Sequence, residues 1–289
     1  MNRPLLLLSL SLLCATVSPA SETADLASAR ALFEASRYPE ARLAFERLLA
    51  ADSGNADIHY YLGRLAMERQ DTDAAVREFQ RAVALAPDNA RDHCDLGIAY
   101  GRSAEKIGIF GGFGLAQKCL AEFERASDLD PGNVDYRECL FEYYSRAPFI
   151  VGGGHKKAVD EAAAIGRLDP RRGHLAYSAL YASDRRFDLA LAELDDILRD
   201  SPRDYESLYQ VGRLAVASGQ YSGRGLTSLH LCLKLAPPPG AASHSEVQLR
   251  IGTICENLGD TEGARAAYKA SLEMDPQFTP ASDALRNLR

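Results

Sequence analysis

Residues 147–162 read APFIVGGGHKKAVDEA: three consecutive glycines, a histidine and two lysines ahead of a helical pattern. Such a stretch suits an anion, because free amide hydrogens point outward at a glycine-rich helix start and Lys156 and Lys157 add positive charge. A nucleotide-hydrolysing phosphate loop asks for more: a preceding strand, a GxxxxGK[ST] spacing and a following helix. Here the preceding segment reads as helix, and neither Ser nor Thr follows the lysines. Nucleotide chemistry is therefore not expected. A simple anion site is one reading. The other, which we favour, is that the glycines let a long connection turn back into a helix. In that reading Asp160 and Glu161 compensate Lys156 and Lys157 from four residues on.

The remaining polar residues form no chemical constellation. His59, His93, His155, His174, His230 and His244 stand singly, without HExxH or similar spacing. Three of them, His59, His93 and His174, begin helical segments at a place that takes large packing residues. No CxxC pair or zinc-like cluster occurs. Beyond Cys14 the cysteines are Cys94, Cys119, Cys139, Cys232 and Cys255, an odd number. They read as small buried helix residues, or with one disulfide among Cys94, Cys119 and Cys139. No catalytic residue, metal ligand set or cofactor is expected, and the chain reads as a non-enzyme. A net charge of −7 argues against a general nucleic-acid binder, which would present a basic face.

Residues 1–20 differ in kind. Arg3 precedes a leucine-rich run that is too short to span a bilayer, and Ser18 and Ala20 stand where a signal peptidase reads small residues. This predicts a secretory signal cleaved after Ala20. A lipoprotein signal would need a small residue before Cys14, where Leu13 stands. No later segment is apolar enough to cross a membrane. The mature chain, residues 21–289, is expected to be exported and soluble, in a bacterial periplasm.

What positions these residues is a repeat. In ADIHYYLGRLAMERQDTDAAVREFQRAVALAPDN, residues 56–89, a Leu62-Gly63 pair is followed by Ala75, Phe79, Ala82 and Pro87. Small residues let two amphipathic helices approach; Leu62, Phe79 and Leu85 are expected to fill the seam; Pro87 ends the second helix. Leu96-Gly97, Val211-Gly212 and Ile251-Gly252 restart the pattern, and Pro131, Pro170, Pro202, Pro237 and Pro276 close it. The segment resembles a tetratricopeptide repeat, with His59 and Ala66 replacing two aromatic residues of the motif. The resemblance implies an all-α, right-handed superhelical solenoid of about seven helix-turn-helix repeats, in which each hairpin buries its apolar face against its neighbours. The repeats fall at about 22–55, 56–89, 90–133, 134–170, 171–204, 205–243 and 244–277, with a cap at 278–289.

Two repeats are longer than the rest. Pro87 to Pro131 spans 44 residues and Pro131 to Pro170 spans 39, against a period of 34. The surplus is expected between the helices of the third and fourth hairpins, at residues 104–116 and 148–155, both on one rim. The pair resembles the inserts of a group of exported bacterial tetratricopeptide proteins, a likeness that implies no activity. The apolar residues of the inserts suit either mutual packing or an exposed patch that docks a partner, and from them come the candidates Phe110, Phe113, Phe149 and Ile150. Family resemblance places a peptide groove on the first helices and adds Tyr60, Arg64, Arg102, Glu142 and Arg146. Some members clamp a terminal carboxylate with a Lys/Asn set; the equivalent positions here carry Tyr60, Arg64 and Cys94, so that clamp is absent. Arg64, Arg102 and Arg146 suit either a basic stripe for an acidic ligand or ordinary surface ion pairs. The expected function is a scaffold for a protein or peptide partner. The alternative is a small-ligand or cell-wall-fragment binder with a weak enzymatic role.

Overall fold

The computed structural model describes residues 19–108 and 111–288, with the backbone alone for 19–24. Every regular element among them is helical, as the repeat pattern predicts. The chain forms two compact units, one ending at Leu129 and one beginning at Asp130. The N-terminal unit holds three hairpins: α1 (Pro19–Glu34) with α2 (Tyr38–Ala51), α3 (Ala56–Glu68) with α4 (Thr72–Leu85), and α5 (Ala90–Ile107) with α6 (Phe113–Leu129). The C-terminal unit holds four: α7 (Val134–Arg146) with α8 (His155–Leu168), α9 (Pro170–Ser183) with α10 (Phe187–Asp200), α11 (Tyr205–Ser218) with α12 (Ser222–Cys232), and α13 (His244–Asn257) with α14 (Thr261–Met274). It ends in α15 (Thr279–Asn287).

The hairpins close where the glycines predict. A Cβ on Gly63 would stand 2.7 Å from the Phe79 ring, on Gly97 2.6 Å from Phe123, on Gly212 2.4 Å from Leu229, and on Gly252 2.3 Å from Tyr268. No real Cβ tolerates such approaches, so the missing side chain is what lets each large residue seat against the facing helix. Phe79 and Leu229 are wholly buried and Tyr268 nearly so; burial of this kind contributes roughly 1.5–3 kcal/mol per side chain. Leu85 does not join the seam. It is the last residue of α4 and is 43% exposed, because the chain turns away there.

Helix starts are fixed by short polar side chains. Asn55, Asn89 and Asn133 accept from the amides of Asp57, Arg91 and Asp135, and Asp71, Asp169, Asp204 and Asp260 accept from amides three residues on. Each cap satisfies a donor the helix leaves open. Within the hairpins, Ser36, Gln70, Arg185, Gly219 and Gly259 occupy the same place in the turn, with φ of 57°, 59°, 60°, 66° and 78°. In the third and fourth hairpins the insertions stand in place of this turn, and Gly108 and Gly152 carry positive φ there.

The two insertions are handled differently. In the third hairpin α5 has 18 residues and α6 has 17, against 13 and 14 in the second. Most of the surplus therefore lengthens helices instead of forming the loop expected at 104–116: Ala104–Ile107 are adequate helix formers and continue α5. In the fourth hairpin α7 and α8 keep 13 and 14 residues, and the surplus stays in the connection.

A polar strut recurs across four hairpins and tracks these insertions. His59 Nδ1 lies 2.8 Å from Glu78 and His174 Nδ1 2.7 Å from Glu193, each pair 19 residues apart. His93 reaches Glu122, 29 residues on, at 2.5 Å; Arg137 takes the equivalent place and reaches Glu161, 24 residues on, at 3.0 Å. The surpluses of ten and five residues are those of the insertions. Each strut ties a first helix to its second, and His59 and His93 are buried while bonded. The histidines thus pack as expected, but as hydrogen-bonded posts.

Candidate functional site

The connection between α7 and α8 is built, not loose. Pro148 leads into a 3-10 turn, Phe149–Val151. The amides of Val151 and Gly153 donate to the Pro148 carbonyl at 3.1 and 3.2 Å, and that of Gly154 to the Tyr144 carbonyl at 2.9 Å. The Tyr143 hydroxyl donates to the Val151 carbonyl at 2.7 Å. Gly152, at φ 95°, takes a conformation that L side chains avoid. A Cβ on Gly153 would stand 1.8 Å from the Ala147 carbonyl oxygen. Val151 is buried and anchors the turn, while Phe149 is 87% and Ile150 65% exposed.

The lysines behind the glycines have other work. Lys156 pairs with Asp160 at 2.8 Å, as its spacing predicts. Lys157 does not pair with Glu161. Its Nζ donates to the Gly152 carbonyl at 3.0 Å and stands 4.9 Å from the Tyr144 ring centroid, while Glu161 is held by Arg137. The cation thus closes the glycine loop, and the geometry supports the turning role of the glycines over an anion cradle.

On the first-helix face of the N-terminal unit, Tyr60 and Arg64 belong to a charged lattice. Arg64 donates to the Tyr60 hydroxyl at 2.9 Å, and its guanidinium lies 3.8 Å from Asp95. The guanidinium carbon of Arg91 sits 3.6 Å from the Tyr60 ring centroid, a cation–π arrangement. Arg91 also pairs with Asp57 and Asp92, each at 2.9 Å, and Arg30 pairs with Asp57. Burial, reinforced by the Asp95 charge, pushes the Tyr60 phenol well above its ordinary range. Burial likewise raises the carboxyls of Asp92 and Asp95 against the pull of the nearby arginines. Burial opposes charge on Arg91, yet the bonds to Asp57 and Asp92 hold its guanidinium above the ordinary value.

The residue facing Arg64 is Asp95, not Cys94. Cys94 is buried, since neighbouring helix residues point about 100° apart. Asp57, Arg91 and Asp95 complete the lattice and are not brought together by the sequence; the place two residues after the caps Asn55 and Asn89 and the place before Leu96-Gly97 are the signals that find them. Arg102 lies on α5, and Glu142 and Arg146 lie on α7. Phe113 opens α6 and is exposed, and Phe110 lies outside the described residues.

An open depression of about 440 Å³ lies among the turns of the fifth and sixth hairpins, lined by Arg185, Arg186, Phe187, Asp188 and Tyr221. The Tyr221 hydroxyl donates to Asp188 within it. Among the described residues, no cluster of three or more His, Cys, Asp or Glu is placed to hold a metal, and no helix is long and apolar enough to cross a membrane.

A tetratricopeptide-repeat family profile matches residues 26–90, and a second matches residues 245–278. Superkiller complex protein 3 of Mus musculus is 26% identical over 273 residues, covering 89% of this chain and 16% of its own length. BBSome complex member BBS4 of Bos taurus is 23% identical over 217 residues, covering 74% of this chain and 38% of its own. The chain therefore spans well under half of either relative. A solved tetratricopeptide repeat protein from Parabacteroides merdae superposes with a TM-score of 0.69 at 12% identity, over 92% of this chain and 98% of that one, which is a likeness of fold. With repeats matched near both ends and paired helices throughout the described residues in the fold of helical-repeat solenoids, the chain is a tetratricopeptide-repeat protein.

Proposed function

We propose that the protein is an exported interaction scaffold without catalysis of its own. It binds another protein through the tip of the Phe149–Val151 turn together with the face of its first helices. The observation that carries the reading is the display of Phe149 and Ile150, 87% and 65% exposed, on a turn whose backbone is bonded back to Tyr143, Tyr144 and Pro148. Two large apolar side chains held out on a fixed support lose little conformational freedom on docking, which favours their use as anchors. Phe113, Phe110 and Arg102 of the third hairpin, and Glu142 and Arg146 ahead of the turn, are secondary candidates. The names of the curated relatives, each a member of a multi-protein complex, agree with a scaffold role.

The run after Arg3 and the Ser18-Pro19-Ala20 sequence support export. N-terminal sequencing of exported material should begin at Ser21; a lipid-modified Cys14 would overturn that. The docking reading is tested by affinity capture from a periplasmic extract with the wild type and a Phe149→Ser, Ile150→Ser double variant. The variant should keep its helical circular dichroism and lose the captured protein. Equal capture by both removes the turn from the binding surface.

A further inference from the structure

The residue after the left-handed turn decides how each second helix begins. In the second and seventh hairpins it is Asp71 and Asp260, and each accepts an amide of the helix it opens. In the first hairpin it is Arg37, answered by Glu40 three residues on. The fifth hairpin has Arg186 in that register, Arg185 ahead of it in the turn, and Leu189 where Glu40 would stand. The sixth has Gln220, and α12 opens on Tyr221. Neither α10 nor α12 receives a side-chain cap.

These exceptions fall together. Arg185, Arg186, Leu189, Gln220 and Tyr221 all line the depression of about 440 Å³ in the C-terminal unit, with Phe187 among them. The charge of the two arginines is not met from within the chain. Of the nearby acids, Asp188 accepts from the Tyr221 hydroxyl, and Asp184 lies 3.7 Å from His155 Nδ1. Among the described residues neither arginine has an ion pair. The Arg186 guanidinium carbon instead lies 5.1 Å from the Tyr181 ring centroid, a cation–π placement that limits where its fork can lie. Phe187 and Tyr221 are half-buried against one hydrophobic cluster and give the depression ring-bearing walls. Two guanidinium forks, beside helix starts whose amides no side chain caps, offer more donors than a flat carboxylate can use. They suit a tetrahedral oxyanion.

We propose that this depression binds the phosphate monoester of a small ring-bearing molecule. Arg185 and Arg186 hold the phosphoryl oxygens, and Phe187 and Tyr221 flank the ring. The site is built from the turns of the fifth and sixth hairpins and shares no residue with the docking surface proposed at Phe149 and Ile150. Its failure therefore leaves the scaffold reading untouched.

The probe is phenyl phosphate, titrated calorimetrically into the protein in phosphate-free buffer, beside inorganic phosphate, benzoate and phenol. The wild type should bind one equivalent of phenyl phosphate, and each of the other three at least about tenfold more weakly. Arg186→Asp copies the second and seventh hairpins. It should raise the urea midpoint by supplying the missing cap, while weakening phenyl phosphate at least about tenfold. Arg185→Gly copies Gly259, which holds the same place in its turn at positive φ. It should weaken binding in the same direction without backbone cost, and it decides the question should Arg186→Asp not fold. Arg203→Gln, at an exposed arginine outside the depression, should change nothing. No binding by the wild type, binding indifferent to both turn variants, or an equal loss in Arg203→Gln overturns the site. Benzoate bound as tightly as phenyl phosphate overturns the assignment to phosphate, and inorganic phosphate bound as tightly overturns the part given to the rings.

Discussion

The insertions of the third and fourth hairpins are both rich in glycine and large apolar residues, yet they solve different problems. The first is spent on length: α5 and α6 each gain about a turn, and only residues 108–112 join them. The second leaves α7 and α8 at ordinary length and forms a compact turn locked by tyrosines and a lysine. Their glycines therefore differ in kind. A Cβ on Gly114, inside α6, would meet open space, whereas one on Gly153 would strike the Ala147 carbonyl. In the first insertion the position pressed against backbone is Gly112, where a Cβ would stand 2.6 Å from the Ala104 carbonyl. Similar composition thus makes a longer hairpin in one place and a rigid display in the other.

The strongest test of that contrast is Gly153→Val. Its side chain cannot coexist with the Ala147 carbonyl, so the turn must open and surrender the bonds from Gly153 and Gly154. We expect a loss near the top of the overpacking range, roughly 3 kcal/mol, read as a lower urea midpoint. A midpoint unchanged from wild type means the turn is not locked. Tyr143→Phe is a gentler probe. It removes the 2.7 Å bond to the Val151 carbonyl while keeping the ring. The expected loss is about 1 kcal/mol, with faster amide exchange at Gly152 to Gly154. Exchange rates equal to wild type would show the bond to be idle.

How far the sequence reads depends on what each residue must do. The seam residues are legible because size alone decides them: a side chain must be absent at Gly63 where Phe79 must be large, and the same pairing returns at Gly97, Gly212 and Gly252. The total length of each insertion is legible from proline spacing, but its division between helix and loop is not. Ala104 to Ile107 suit a helix or a surface loop equally, and packing decides. The pairing of Lys157 with Glu161 looks sound from a four-residue spacing, yet Arg137 on a different helix takes the glutamate. A local rule loses there to a tertiary partner. The Cys94 assignment fails for a geometric reason: one helical step, about 100° of rotation, separates a buried thiol from the carboxylate that meets Arg64. The exposure of Phe149 and Ile150 is open in the sequence, since apolar loop residues pack or protrude according to the backbone beneath them.

The smallest expected effect has the opposite sign, and it bears most directly on the first insertion. Gly114 is the second residue of α6 and is exposed, and a Cβ there would meet nothing within 4 Å. If residues 113–116 are helix, Gly114→Ala removes backbone freedom from the unfolded chain and adds no collision, so stability should rise by about 0.5–1 kcal/mol. A surface loop gains nothing comparable from the same change, and a glycine at positive φ would lose by it. The sign therefore separates a helix start from the loop that composition suggests at 104–116. Urea titration of Gly114→Ala beside Gly153→Val makes the comparison internal. A rise in one and a fall in the other is what a lengthened hairpin and a locked turn require. Two falls would place the first insertion in a constrained loop as well, with α6 beginning later than Phe113.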